Sequence, residues 1–184
     1  MTGVIGVGEP NGVGGDRRMD PELLGHLLDR HSAALELYAR QWCEAPEDVV
    51  QEAYLKLAGQ GALPSHPPAW LFRVVRNGAI AAGRSAMRRR RHEARAAIEM
   101  TPWFEPAGRG DDLDPETAAA ELRALPIEQR EVIVAHLWGG LTFEQIADVA
   151  GCSSSTAHRS YSAGLATLRR RLEESCRTPR PTPK

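Results

Sequence analysis

Cysteine is scarce: Cys43, Cys152 and Cys176 are the three in 184 residues. Their spacing fits no zinc-ligand pattern, and an odd count is no disulfide framework, so a reduced, cytoplasmic protein without a metal is expected. Aromatic residues are also few, at 5%, so any core must be built mostly from aliphatic side chains. No apolar run approaches the ~20 residues that span a bilayer, and the N-terminus has neither the charged start nor the apolar centre of a secretion signal. No membrane insertion is expected. The glycine-rich opening, MTGVIGVGEPNGVGGDRR, lacks the preceding strand and the Gly-Lys-Ser/Thr ending of a phosphate loop. A disordered, dispensable tail over residues 1–19 is expected instead, with Met19 itself a second possible start of translation.

Net charge is small too, at −1, but the charge is segregated. Arg73 to Arg95 holds eight arginines (73, 76, 84, 88, 89, 90, 91 and 95) and one acid, Glu93. Glu105 to Glu121 holds six acids (105, 111, 112, 114, 116 and 121) against Arg109. A local basic face matters more for nucleic-acid binding than the total.

The rest of the chain reads as helices. Asp20-Pro21 is a cap followed by a first-turn proline; Leu24, Leu27, Leu28, His31, Leu35 and Tyr38 then recur at helical spacing. His31 reads as a satisfied interior histidine. Pro46, Glu47 and Asp48 open a second helix, where proline and acids suit the exposed N–H groups. Its Val50, Ala53, Tyr54 and Leu57 face inward, and Asp48, Gln51, Glu52 and Lys56 face outward, as either a solvated or a docking face. From Pro68 to about Arg91 a third helix divides into an apolar side (Leu71, Val75, Gly78, Ala82, Ala86) and a cationic side (Arg73, Asn77, Arg84, Arg88, Arg91), flanked by Arg76. A solvated face usually mixes signs; unmixed arginine over several turns suits phosphate. Ile80 interrupts that face, and Trp70 at its edge either stacks on a base or seals the helix to its neighbour.

Residues 96–114, with two prolines, glycines and clustered acids, read as an interdomain linker, in which Trp103 and Phe104 are candidates for docking. Pro115 restarts a helix ending in Leu122 and Leu125. The next takes Ile127, Val132, Ile133, Leu137 and Trp138 as its apolar set and stops at Gly139-Gly140. Thr142 with Gln145 forms a capping box. Ile146, Ala147 and Ala150 make a short apolar stripe, and Gly151 suits a left-handed C-terminus. One of Ser153, Ser154 and Ser155 caps the last helix, which buries Ala157, Tyr161, Leu165 and Leu168. Small residues at the crossing suit a helix-turn-helix, whose second helix brings its N-terminal residues (Ser154, Ser155, Thr156, His158 and Arg159) to base edges. The proline-rich end, within 175–184, reads as disordered. The expected fold is therefore all-α: two small helical domains, 20–95 and 115–174, joined by a flexible acidic linker, the C-terminal one a helix-turn-helix.

Three stretches resemble a known family. Pro46 to Leu57 (PEDVVQEAYLKL), Trp70 to Asn77 (WLFRVVRN) with the arginine run after it, and Leu125 to Val132 (LPIEQREV) with the helix-turn-helix after it resemble the sigma-70 family of bacterial RNA polymerase sigma factors, in its two-domain, extracytoplasmic-function group. The resemblance covers roughly residues 20–95 and 115–172. It implies that Asp48, Gln51, Glu52 and Lys56 dock on core RNA polymerase. It implies that Arg73, Arg76, Asn77, Arg84 and Arg88, with Trp70 and Arg91 on the same helix, bind the −10 promoter region and its displaced strand. Ser155, Thr156, His158 and Arg159 would enter the −35 major groove of promoter DNA. An anti-sigma factor is a common partner in what it resembles. Ala81, where the family often has an acid, Gly83, where it often has a large apolar residue, and Ser160 and Ala163, where basic residues are common, depart from its pattern. No catalytic residue and no cofactor is implied. A free-standing helix-turn-helix regulator would explain only the C-terminal half. A polymerase-binding regulator that reads no promoter remains an alternative. A metal-dependent nucleic-acid enzyme would need converging carboxylates, whereas the acids at 111–116 lie in the linker.

Overall fold

The computed structural model describes residues 20–93 and 115–177, so the expected linker, with Trp103 and Phe104, and the N-terminal tail lie outside the described residues. Those described form seven helices and no strand: α1 (Pro21–Ala39), α2 (Pro46–Ala58), α3 (Pro67–Glu93), α4 (Pro115–Arg123), α5 (Ile127–Leu137), α6 (Phe143–Ala150) and α7 (Ser154–Arg177). None is long and apolar enough to cross a membrane.

The helix starts follow from local chemistry. The Asp20 carboxylate accepts the Glu22 N–H at 3.0 Å, satisfying one orphan donor of α1. α2 has no side-chain cap and relies on Pro46 with Glu47 and Asp48 in its first turn. The Thr142–Gln145 capping box closes in both directions, at 2.9 and 3.3 Å. Gly151 ends α6 in the left-handed region at φ 72°. Ser153 is the cap of α7, accepting the Thr156 N–H at 3.1 Å. That helix runs to Arg177, past the expected start of a disordered end at 175.

α1, α2 and α3 pack on one another, and α7 packs against α4, α5 and α6. The two groups are themselves in contact, α1 with α5 and α3 with α6. Their buried side chains form one continuous cluster, from Leu27, Leu35, Tyr38, Leu57, Phe72 and Val75 to Ile133, Leu141, Ile146 and Ala157. The inward set of α2 is buried as its spacing predicts. Three side chains expected inside are exposed: Leu28 at 39%, Leu137 at 52% and Trp138 at 47%. Leu28 sits at the edge of the α1 stripe, and Leu137 and Trp138 lie where α5 ends. His31 is interior, but its Nδ1 has no hydrogen-bond partner, and burial, then the nearby Arg30 and His26 charges, push its imidazole pKa down.

Gly83 marks a close approach. A Cβ there would run into the carbonyl of Trp42, just beyond α1. This explains why a glycine stands at a position where a large apolar side chain could be expected: α3 lies directly on the end of α1. Gly83→Ala should therefore destabilise the fold by about 1–3 kcal/mol, the usual range for overpacking, despite alanine's better helix propensity. Urea unfolding checks this, and a stabilised variant would remove the close contact from consideration.

Candidate nucleic-acid and protein-docking faces

Helix α3 is fixed by its apolar side. Leu71, Phe72, Val75 and Ala79 are buried, which turns Arg73, Asn77, Arg84 and Arg88 outward, all exposed. Ile80 on that side is half-buried. Trp70 is half-buried and packs against the core cluster. The side chain of Arg91 lies outside the described residues. Beyond the outer arginines, Arg90 pairs with Glu44 and Arg89 donates to Ser85 at 3.1 Å.

Arg76 departs from the cationic face. Its Nε–H donates to Glu131 Oε1 at 2.5 Å and its Nη2–H reaches Oε2 at 3.5 Å. The Tyr38 hydroxyl donates to the same Oε1 at 2.6 Å. The guanidinium also lies over the Trp42 ring, 5.9 Å from its centroid. Burial alone would pull the Arg76 pKa down, but the Glu131 carboxylate outweighs it and holds the guanidinium charged. Burial, then Glu131, pushes the Tyr38 phenol well above 10. Glu131 and Tyr38 were not among the sequence-derived site residues. Their one sequence signal is an acid inside the apolar run of α5, IEQREVIV.

At the start of α7, Ser155, His158 and Arg159 are exposed and Thr156 is half-buried. Arg159 Nη2 donates to Thr156 Oγ1 at 3.4 Å, and Thr156 Oγ1 shares a 2.8 Å hydrogen bond with Ser153. A ring cluster braces the helix from behind. Phe143 stacks on His136 with centroids 4.5 Å apart and meets Tyr161 and His158 edge-on at 5.4 and 5.1 Å. His136 Nδ1 is anchored at 2.8 Å to the carbonyl of Leu141. The exposed Glu144 carboxyl, held below its usual range by its own backbone N–H and then by Thr142 and Ser154, accepts from Ser154 at 3.3 Å.

On α2, Asp48, Gln51, Glu52 and Lys56 share the exposed side, with Glu52 and Lys56 paired at 2.8 Å. Among them stands Leu55, 66% exposed. It forms one wall of an open, mainly apolar groove of about 350 Å³ between α1 and α2, with Leu24, Leu28, Val50 and Tyr54. The outward charges were legible in the sequence. The groove was not, because the helical spacing of Leu28 puts it inside. Among the described residues, no three His, Cys, Asp or Glu side chains cluster as metal ligands.

The model of the family described as sigma-70, region 4 matches residues 117–168, the span of α4 to most of α7. The ECF RNA polymerase sigma factor SigL of Mycobacterium tuberculosis is 30% identical over 171 residues, covering 88% of this chain and 96% of the relative. A probable RNA polymerase sigma factor, RfaY of Xanthomonas campestris, is 33% identical over 141 residues, 70% of this chain but 34% of the relative. The chain thus spans about a third of that longer protein. The sigma factor RpoE of Bartonella quintana, solved in complex with the anti-sigma factor NepR, superposes with a TM-score of 0.68 at 26% identity, covering 83% of this chain and 97% of that one. A relative matched along almost its whole length, a region 4 match over the C-terminal helices and a shared fold agree: this chain belongs to the extracytoplasmic-function group of sigma-70 family RNA polymerase sigma factors.

Proposed function

We propose that the chain binds core RNA polymerase through α2 and directs promoter-specific initiation, α3 engaging the −10 region and its displaced strand and the start of α7 the −35 groove. It acts as a non-enzymatic subunit in the cytoplasm. The observation that carries this reading is the outward row Arg73, Asn77, Arg84 and Arg88, exposed and without an acid among them, in a chain matched over 88% of its length by a sigma factor. A cationic track of this kind suits a single strand. The α7 face holds one guanidinium, Arg159, the side chain type that most often reads guanine. Two modest DNA contacts held on one polymerase gain from effective concentration. RpoE's complex with NepR supports an anti-sigma factor as a further partner of this chain.

Run-off transcription with core polymerase on a library of promoter fragments tests the reading. Start sites that depend on this protein and share −35 and −10 elements are expected. Tight polymerase binding without transcripts would favour a regulator that reads no promoter, and no polymerase binding would favour a free-standing DNA-binding protein. Glu52→Arg, which reverses an exposed docking charge, should weaken polymerase binding about tenfold or more, since like-charge juxtaposition costs several kcal/mol at an interface. Undiminished co-purification with polymerase would remove α2 from the docking face.

A further inference from the structure

Glu131 is 5% exposed, yet the cation it neutralises belongs to the other group of helices. Arg76 on α3 and Glu131 on α5 meet through two N–H donors and both carboxylate oxygens. That is the fork geometry with which a guanidinium also grips a phosphate. We propose that Glu131 stands in for a nucleic-acid phosphate at Arg76, so that this contact latches α4–α7 onto α1–α3 in a self-masked form whose Arg76 is closed to DNA. The inference rests on the reading of α3 as a nucleic-acid face.

The surroundings support a seat built for the contact. The Tyr38 hydroxyl supplies a third donor to the Glu131 carboxylate, and the Trp42 ring lies under the guanidinium. Nearby, Arg130 Nε donates to Gln41 at 3.2 Å, again between α5 and the end of α1. The apolar part of the seat is the Phe72 ring, fully buried. Gly139 rests against it, so that a Cβ there would lie 2.5 Å from the ring.

A polar centre of this kind suits a reversible contact. A buried ion pair roughly breaks even against an apolar isostere. Removing one partner, however, leaves the other charge buried and uncompensated. Because the two charges sit on different groups of helices, separating the groups relieves that penalty, at the cost of the apolar contacts that the groups share. Once apart, the carboxylate returns to water and the guanidinium becomes available to a phosphate. Closed and open forms therefore compete for the same side chain, and apparent DNA affinity is reduced by the fraction of chains that are open.

The test uses the full chain. Spin labels at Gln60, just after α2, and Arg169 of α7, both exposed, are placed in a chain with its native cysteines replaced, and report the separation of the two groups. One short distance is expected for the native Glu131. Glu131→Gln keeps the shape but removes the charge. It should populate long distances and bind a fluorescent single-stranded oligonucleotide about tenfold more tightly. Glu128→Gln, the same charge change at an exposed position of α5, should alter neither. The exchange Arg76→Glu with Glu131→Arg should restore the short distance, and circular dichroism verifies helicity throughout. A short distance retained in Glu131→Gln overturns the latch, and so does opening without a gain in oligonucleotide affinity. Promoter-dependent transcription by the native chain with core polymerase is scored separately, so failure of the latch and failure of the promoter-reading function are distinguishable.

Discussion

Replacing Arg73, Arg84 and Arg88 together by alanine should lower the salt sensitivity of −10 strand binding by about 2 units in the slope of log K against log salt. Each phosphate contact to a single strand releases counterions worth about 0.7 of slope, and three exposed guanidinium groups on one helix side sum to that value. Over the decade from 1 M down to about 0.1 M salt, this corresponds to about a hundredfold loss of affinity. The measurement is fluorescence anisotropy of a labelled −10 strand with the polymerase complex, across a salt series. Because these side chains are exposed, the change in folding stability should stay within about 0.5 kcal/mol, and binding of an isolated −35 duplex should not change. An unaltered slope would show that the cationic row is a solvated surface, and α3 would lose its part in strand binding.

Arg76 is left out of that set because of what the structure adds to the sequence. On a helical projection it flanks the cationic side, and nothing in its own helix distinguishes it from Arg73. Its partner lies 55 positions away on α5, and periodicity carries no information about such a pairing. Helix boundaries and faces were legible, because they depend on neighbours three and four residues apart: the Thr142–Gln145 box, Gly151 and the buried row of α2 formed as their spacing dictates. The exceptions arise where tertiary contacts decide. Leu137 and Trp138 fit an apolar stripe but fall at the end of α5, where none of the described helices covers them. The need for a glycine at 83 comes from the Trp42 carbonyl on another element. For the sites, the outward side chains of α2, α3 and α7 were readable, whereas the apolar groove beside Leu55 and the buried Tyr38–Glu131–Arg76 network were not.

The largest stability effect is expected at Tyr38, where that network joins the core. Its ring is fully buried, edge-on to Phe72 at 4.9 Å and to Trp42 at 5.1 Å, and its hydroxyl donates to Glu131. Tyr38→Ala removes both the rings' contact and the donor and should cost about 3–5 kcal/mol. Tyr38→Phe keeps the packing and leaves Glu131 with Arg76 alone, so about 1–2 kcal/mol is expected. The ratio of the two costs separates packing from hydrogen bonding, and equal costs would mean that the hydroxyl carries the whole effect. The phenol adds a signature in alkali. Its folded pKa is raised, first by burial and then by the Glu131 charge, whereas an unfolded tyrosine ionises near 10. Its contribution is therefore complete below pH ~10 and is lost as the pH climbs toward the folded value, because only the unfolded chain releases that proton. Tyr54, also raised by burial, adds a slope of the same sign and remains in the variant. Urea unfolding from pH ~9 to ~11 should thus show a shallower loss of stability in Tyr38→Phe than in the native chain. Parallel curves would mean that the Tyr38 hydroxyl titrates in the folded protein as it does in the unfolded one, which a donor to a buried carboxylate should not do.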